Sequence, residues 1–182
     1  MQAHYFIGIR MPEQVRPIAE DFQESKDLRK HYKSIPHPED LHVTLFFIGA
    51  LDGEKVAALS DSLHSAAQRH APFVARLDRF DFFGSAAGPR VVYLGFSPSK
   101  PLADLQKDVT DAVARSIGAP RKDNRFTPHV TIAKKRKTDE HPGFHPEQLD
   151  PSDIAVSSFE LFTIHPSRNP KYETVETFKL GG

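Results

Sequence analysis

Apolar residues recur along this chain at two spacings, every second residue in some stretches and every third or fourth in others. Each switch between the two marks an element boundary. His4 to Arg10 alternates and predicts a first strand. From Pro12 the spacing turns helical, with Val15, Ile18, Ala19 and Phe22 on one face, and predicts a helix to about Tyr32; the proline suits its first turn. Pro36 and Pro38 punctuate the approach to a strand over Leu41 to Ile48, which Gly49 ends. A turn at Leu51-Asp52-Gly53 leads into a second helix with Val56, Leu59, Leu63 and Ala66 on one side. Phe73 to Phe83 and Val91 to Phe96 predict an antiparallel pair joined by the turn GSAAGPR. A third helix runs from about Pro101 to Ile117, striped by Leu102, Leu105, Val109 and Val113, and Phe126 to Lys134 returns to strand. Lys135 to Asp150 is charged and rich in Pro, Gly and His, which reads as a surface excursion. Ile154 to His165 and Thr174 to Leu180 then predict a closing pair of strands.

This order predicts an α+β fold of two pseudo-symmetric lobes, each of antiparallel strands with outer helices, and a groove between them. Residues 1–182 are expected to form a single bilobal domain, since 182 residues suffice to bury a core of that size. Lys+Arg and Asp+Glu balance at 24 each, so net charge does not advertise a long polyanion. A short RNA end or a nucleotide answers to local potential instead. With no cysteine, disulfides, thiolate nucleophiles and cysteine-held zinc drop out. The apolar run Tyr5 to Ile9 is too short for a signal peptide. No stretch approaches the ~18 apolar residues of a membrane span. The expectation is a cytoplasmic monomer without membrane attachment.

One short motif occurs twice, His42-Val43-Thr44 in LHVTLFFIG and His129-Val130-Thr131 in PHVTIAKK, once in each half of the chain. On a strand, His and Thr two apart share a face. The opposite face then carries Val43, Leu45 and Phe47 in one copy and Val130 and Ile132 in the other, which suits a core. One His-x-Thr is what a half-buried histidine beside a strand-favouring threonine looks like. Two, in matching apolar surroundings, predict one cleft collecting two imidazoles and two hydroxyls. Histidine titrates near neutrality, so one ring can take a proton from water while the other gives one to a leaving oxygen. In-line attack at phosphorus puts those partners on opposite sides, as two lobes would. The Thr44 and Thr131 hydroxyls suit non-bridging phosphate oxygens. No carboxylate-rich cluster offers a metal site, and no cofactor is expected.

With these blocks the chain resembles the 2H phosphoesterases, specifically the bacterial RNA 2′,3′-cyclic phosphodiesterases also called 2′-5′ RNA ligases. The resemblance spans nearly the whole chain: HYFIGIR followed by MP, LHVTLFFIG, FDFFGSAAGPRVVYLGF, RFTPHVTIAKK and SSFELFTIHPSRNPKYETVETFKL. It implies hydrolysis of RNA 2′,3′-cyclic phosphate ends to 2′-phosphomonoesters, with reversible 2′-5′ ligation at the same site. It also implies His42 as proton donor, His129 as proton acceptor, and Thr44 and Thr131 as phosphate ligands, with the two histidines exchanging roles when the reaction reverses. The partner would be an RNA or oligonucleotide with a cyclic phosphate end. Family members often carry an arginine five residues after the second histidine, where this chain has Lys134. Lysine keeps the charge without the bidentate fork. In a regular strand that odd offset puts Lys134 on the face opposite His129, so it joins the site only past a bulge or at the strand's end.

Other residues hold two meanings at this stage. Phe46 shares the motif face and suits either a stacked base or the core, and Arg125 suits a phosphate contact or plain solvation. The basic run Lys134 to Lys137 fits either an RNA grip or a solvated strand end. His141 and His145 have helical metal-pair spacing, but Pro142, Gly143 and Pro146 argue for a loop. The turn at Gly84 to Gly88 matches no phosphate loop. The same residues also fit a non-catalytic module that binds RNA ends, or the same chemistry on another cyclic nucleotide or a 2′-5′ oligonucleotide.

Overall fold

The computed structural model describes residues 2–118 and 125–181. Along these residues the chain forms β1 (His4–Arg10), α1 (Val15–Ser25), α2 (Leu28–His31), β2 (Tyr32–Ser34), β3 (His42–Ala50), α3 (Gly53–Gln68) and β4 (Phe73–Phe83). There follow β5 (Val91–Phe96), α4 (Lys100–Ile117), β6 (His129–Arg136), β7 (Glu147–Val156), β8 (Ser158–Ile164) and β9 (Tyr172–Lys179). The strands pair antiparallel in the order β7-β4-β5-β6-β3-β1-β8-β9, with β2 beside β6. At the centre β3 and β6 meet through one residue pair, Val43 opposite Val130. This thin seam divides the sheet into the two expected lobes. The first holds β3, β1, β8 and β9; the second holds β6, β5, β4, β7 and β2. Helices α3 and α4 pack on each other and on the first lobe, while α1 and α2 back β6 in the second. No helix among the described residues is long and apolar enough to cross a membrane.

Local chemistry explains the helices. Asp52 caps α3 by accepting the Lys55 amide at 3.0 Å, and Leu59, Leu63, Ala66 and Ala67 are buried below it. Ser99 caps α4 on the Leu102 amide at 3.3 Å, and Gly118 ends it in the left-handed region at φ 68°. The expected helix from Pro12 to Tyr32 is broken. It starts at Val15, and after Ser25 the Lys26 and Asp27 amides close on Phe22 and Glu24. Asp27 then turns left-handed at φ 50°, a conformation aspartate tolerates. Beyond the break Leu28 and Tyr32, both buried, resume a four-residue spacing, which is why the periodicity reads on past it. Tyr32 itself opens β2, a strand the spacing conceals.

Two further expectations change at the C-terminal end. The surface excursion stops at Lys137 to Pro146, because Glu147 begins β7, and within it Phe144 is 4% exposed and belongs to the core. The strand expected over Ile154 to His165 is two strands, β7 and β8, parted by Ser157 and lying in different lobes. β7 is an edge strand, mostly polar over its first half, with Ile154 and Val156 buried near its end. Its ladder with β4 is irregular across Leu77 to Arg79, opposite Pro151, and an edge accommodates that proline. Because one residue joins strands so distant in sheet order, the sheet must curl until its lobes meet there.

Candidate active site

The central strands present both motifs on one face. With Val43 opposite Val130, the antiparallel register brings His42 alongside Thr131 and Thr44 alongside His129. The histidines are therefore diagonal neighbours, a relation that spans roughly 7–8 Å between strands. Both valines are buried on the other side, as alternation requires.

Each imidazole is held in the same way. Nδ1 of His42 donates to the Asp40 carbonyl at 2.7 Å, and Nδ1 of His129 donates to the Thr127 carbonyl at 2.8 Å. A carbonyl only accepts, so the ring proton sits on Nδ1 in both and Nε2 is left for the cleft. The Thr44 hydroxyl lies 3.0 Å from His42 Nε2 and donates to it. Aromatic rings crowd each imidazole: Phe6 at 4.8 Å and Tyr172 at 5.1 Å around His42, Phe83 at 5.0 Å and Tyr93 at 5.4 Å around His129. Burial of this kind penalises the charged ring. It pushes His42 down to about 4, with the His129 and Lys134 charges adding to the fall against the Asp40 carbonyl and charge. His129 is also lowered by burial, against the pull of its Thr127 bond.

Asp40 is the site residue that sequence reasoning missed most clearly. It is 3% exposed, and its two carboxylate oxygens take the backbone amides of Lys171 at 2.8 Å and Tyr172 at 3.2 Å. One residue thus holds the His42 ring through its carbonyl and, through its side chain, the turn that brings Tyr172 against that ring. Its place two residues before the motif histidine was visible, but its partners lie more than a hundred residues away.

Past each threonine both motif strands break their alternation. In β3 the register with β1 skips Leu45: Thr44 faces Gly8 and Phe46 faces Ile7. In β6 the register with β5 skips Ile132: Thr131 faces Tyr93 and Ala133 faces Val92. An added residue of this kind is a β-bulge, and it turns the following side chains over. The fifth residue after each histidine is carried to the cleft as a result. Phe47, expected in the core, is 52% exposed, and Lys134 joins the site. Phe46, expected on the motif face, is half-buried against the core and reaches the cleft at one wall.

Two cavities flank the motifs and share Thr44. The first, about 190 Å³, collects His42, Thr131, Asp40 and the lysines Lys134, Lys135 and Lys171. Three cations against one carboxylate suit an anion, and burial with the two neighbouring lysines holds Lys134 below the ordinary lysine range. The second, about 300 Å³, lies beside His129 and is lined by Phe46, Phe47, Phe83, Arg125 and Phe126. The structure therefore brings together His42, Thr44, Thr131 and Lys134 on one side, and His129, Phe46 and Arg125 on the other. Arg136 of the basic run is committed elsewhere, donating to the Thr138 and Glu140 carbonyls at 2.8 Å and 2.7 Å. His141 accepts the Gly143 amide at 3.1 Å within its loop. Among the described residues no three His, Asp or Glu side chains gather as a metal cage would need.

Comparison with known proteins shows the family and the fold. A family model described as the 2′-5′ RNA ligase superfamily matches residues 12–165. A Bacillus subtilis protein named RNA 2′,3′-cyclic phosphodiesterase is 32% identical over 182 residues, covering 99% of this chain and 98% of its own. An Aquifex aeolicus protein of the same name is 25% identical over 97% of each chain. Among solved structures, one from Thermus thermophilus superposes with a TM-score of 0.80 at 26% identity, covering 98% of both chains. E. coli LigT complexed with 3′-AMP shares the fold, at a TM-score of 0.78 and 24% identity over the full length of both.

Proposed function

The chain belongs to the 2′-5′ RNA ligase superfamily, and on that premise we propose that it is a metal-independent phosphodiesterase opening 2′,3′-cyclic phosphates at RNA ends. The observation that carries this reading is the pair of imidazoles, each tied at Nδ1 to the carbonyl two residues upstream and each lining one of two cavities that share Thr44. Such a pair supplies an acid and a base on opposite sides of a phosphorus atom.

In the proposed reaction a water oxygen attacks phosphorus and passes a proton to His129 Nε2. The bond from phosphorus to the 3′ oxygen breaks, and His42 Nε2 delivers its proton to that oxygen, leaving a 2′-phosphomonoester. Thr44, Thr131 and Lys134 hold the non-bridging oxygens as charge develops on them. With the cleft empty His42 is neutral near pH 7. The anionic phosphate beside it favours the charged ring, so His42 acquires its proton together with the substrate. The aromatic cavity beside His129 offers a surface on which a base can stack, an interaction worth ~1–3 kcal/mol. A 5′-hydroxyl strand seated there in place of water would give 2′-5′ ligation. Since each lobe contributes one histidine, the 182 residues act as one bilobal unit.

The test is hydrolysis of an RNA oligonucleotide ending in a 2′,3′-cyclic phosphate, with the product position read by phosphorus NMR. His42→Ala and His129→Ala should each abolish turnover, and EDTA should leave the wild type unaffected. Retained turnover in both variants would sink the mechanism. Binding without turnover between pH 5 and 8 would make the chain an RNA-end-binding module instead.

A further inference from the structure

The two bulges are supported alike. The residue each register skips, Leu45 or Ile132, directly follows the motif threonine and is buried. Each of these carbonyls accepts a side-chain amide from a helix. Gln23 of α1 donates to the Ile132 carbonyl at 3.1 Å, and Gln106 of α4 donates to the Leu45 carbonyl at 3.3 Å. Gln23 is out of place by pattern: it follows Val15 and Ala19 on the buried stripe of α1 and is itself 5% exposed. A buried amide costs stability unless bonded, so its position argues for the bond it makes. Gln106 spends its second N–H on the Thr110 hydroxyl at 3.1 Å.

We propose that Gln23, from the core, and Gln106, from the wall of the cavity beside His129, are positioning residues that pin the two bulges, so that Lys134 and Phe47 are presented to the cleft. A strand register is strongly specified only where something holds it, and a slip of one residue turns every later side chain over. Losing the skip at Ile132 would return Lys134 to the core face, where plain alternation puts it. A neutral amide suits this task, because it donates to a buried carbonyl without bringing a charge. The support also crosses the chain. α1 precedes the first motif in sequence but supports the second, and α4 precedes the second but supports the first. The match lies in the offset from each motif rather than in any similarity between the two helices.

The test compares Gln23→Met, Lys134→Ala and their double variant. Lysine-selective NMR follows the titration of Lys134, which burial and the neighbouring lysines hold below the ordinary range in the wild type. In Q23M, with Lys134 turned toward the core face, burial should carry it further below that range. In turnover of cyclic-phosphate RNA, which rests on the proposed function, K134A should lower kcat/KM about tenfold or more. Q23M should lower it several-fold alone yet less than about twofold in the K134A background, the non-additivity of groups acting through one another. An unchanged Lys134 titration in folded Q23M, or losses that multiply in the double variant, overturns the proposal. If the wild type shows no turnover, the functional reading fails and the titration alone decides the positioning role. Should Q23M not fold, Gln23→Glu keeps the shape and donates only when protonated. Its kcat/KM relative to wild type should rise as pH falls, and a ratio both flat and well below one would refute the role.

Discussion

Replacing Asp40 with asparagine tests how the cleft is braced. The carboxylate accepts two backbone amides, from Lys171 and Tyr172, one on each oxygen, in a position 3% exposed. Asparagine offers one acceptor oxygen and one amino group. Whichever way it turns, one of the two N–H groups meets a donor, and the other keeps only a neutral partner. A hydrogen bond to a charged group contributes about 1.5–3 kcal/mol and a neutral one about 0.5–1.5. Losing the first kind once and downgrading the other, with some recovery from no longer burying a carboxylate, comes to about 2–3 kcal/mol. For a chain of this length each kcal/mol shifts Tm by about 2–4 °C, so the melting curve should fall by roughly 5–10 °C. A second readout separates bracing from general instability. The Asp40 charge favours protonated His42, so its removal should carry the limb of the kcat/KM–pH profile that follows His42 to lower pH. A Tm within a degree of wild type, or a limb that stays put or rises, would refute the account.

Other outcomes follow from the same geometry. Both motif histidines are lowered from the ordinary value, so kcat/KM for cyclic-phosphate RNA should trace a bell centred below about pH 6.5. The kcat profile should sit at higher pH, since bound phosphate favours the charged rings. Lys134→Ala removes a charge that depresses His42, so it should raise the His42 limb, while Lys134→Arg should hold it near its wild-type position. Thr44→Val and Thr131→Val, which keep the shape and lose the hydroxyl, should each reduce kcat/KM roughly tenfold or more with little change in Tm. The folded protein holds His42 neutral well below the pH at which the unfolded chain would protonate it. Its contribution to stability is therefore present above about pH 6.5 and lost as pH falls through about 4, which urea titrations at pH 7, 5.5 and 4.5 would show.

Most elements and the motif pair were legible because short-range periodicity carries them. The buried stripes of α3 and α4 and the hairpin of β4 and β5 need only local alternation to be seen. Besides the short β2, four features escaped, each for a physical reason. The break at Asp27 is followed at once by the four-residue spacing of Leu28 and Tyr32, so the helical pattern resumes beyond it and hides it. The first part of β7, before Ile154, is a mostly polar edge segment containing Pro151, and nothing local distinguishes it from a loop. The bulges at Leu45 and Ile132 are properties of pairing, visible only against β1 and β5, and they decide the faces of Phe47 and Lys134. Asp40 and Tyr172 meet through a fold that no local window spans.

The order of strands also dictates the order of events at synthesis. β1 emerges before both of its neighbours and sits between β3, which ends at Ala50, and β8, which ends at Ile164. The first lobe therefore stays open on one side until Ile164 has been made. A strand left waiting shows its unpaired backbone to the cell. Truncations before Ile164 should yield aggregation-prone fragments rather than half-sized folded domains, because β1 gains its second neighbour only when β8 has been made.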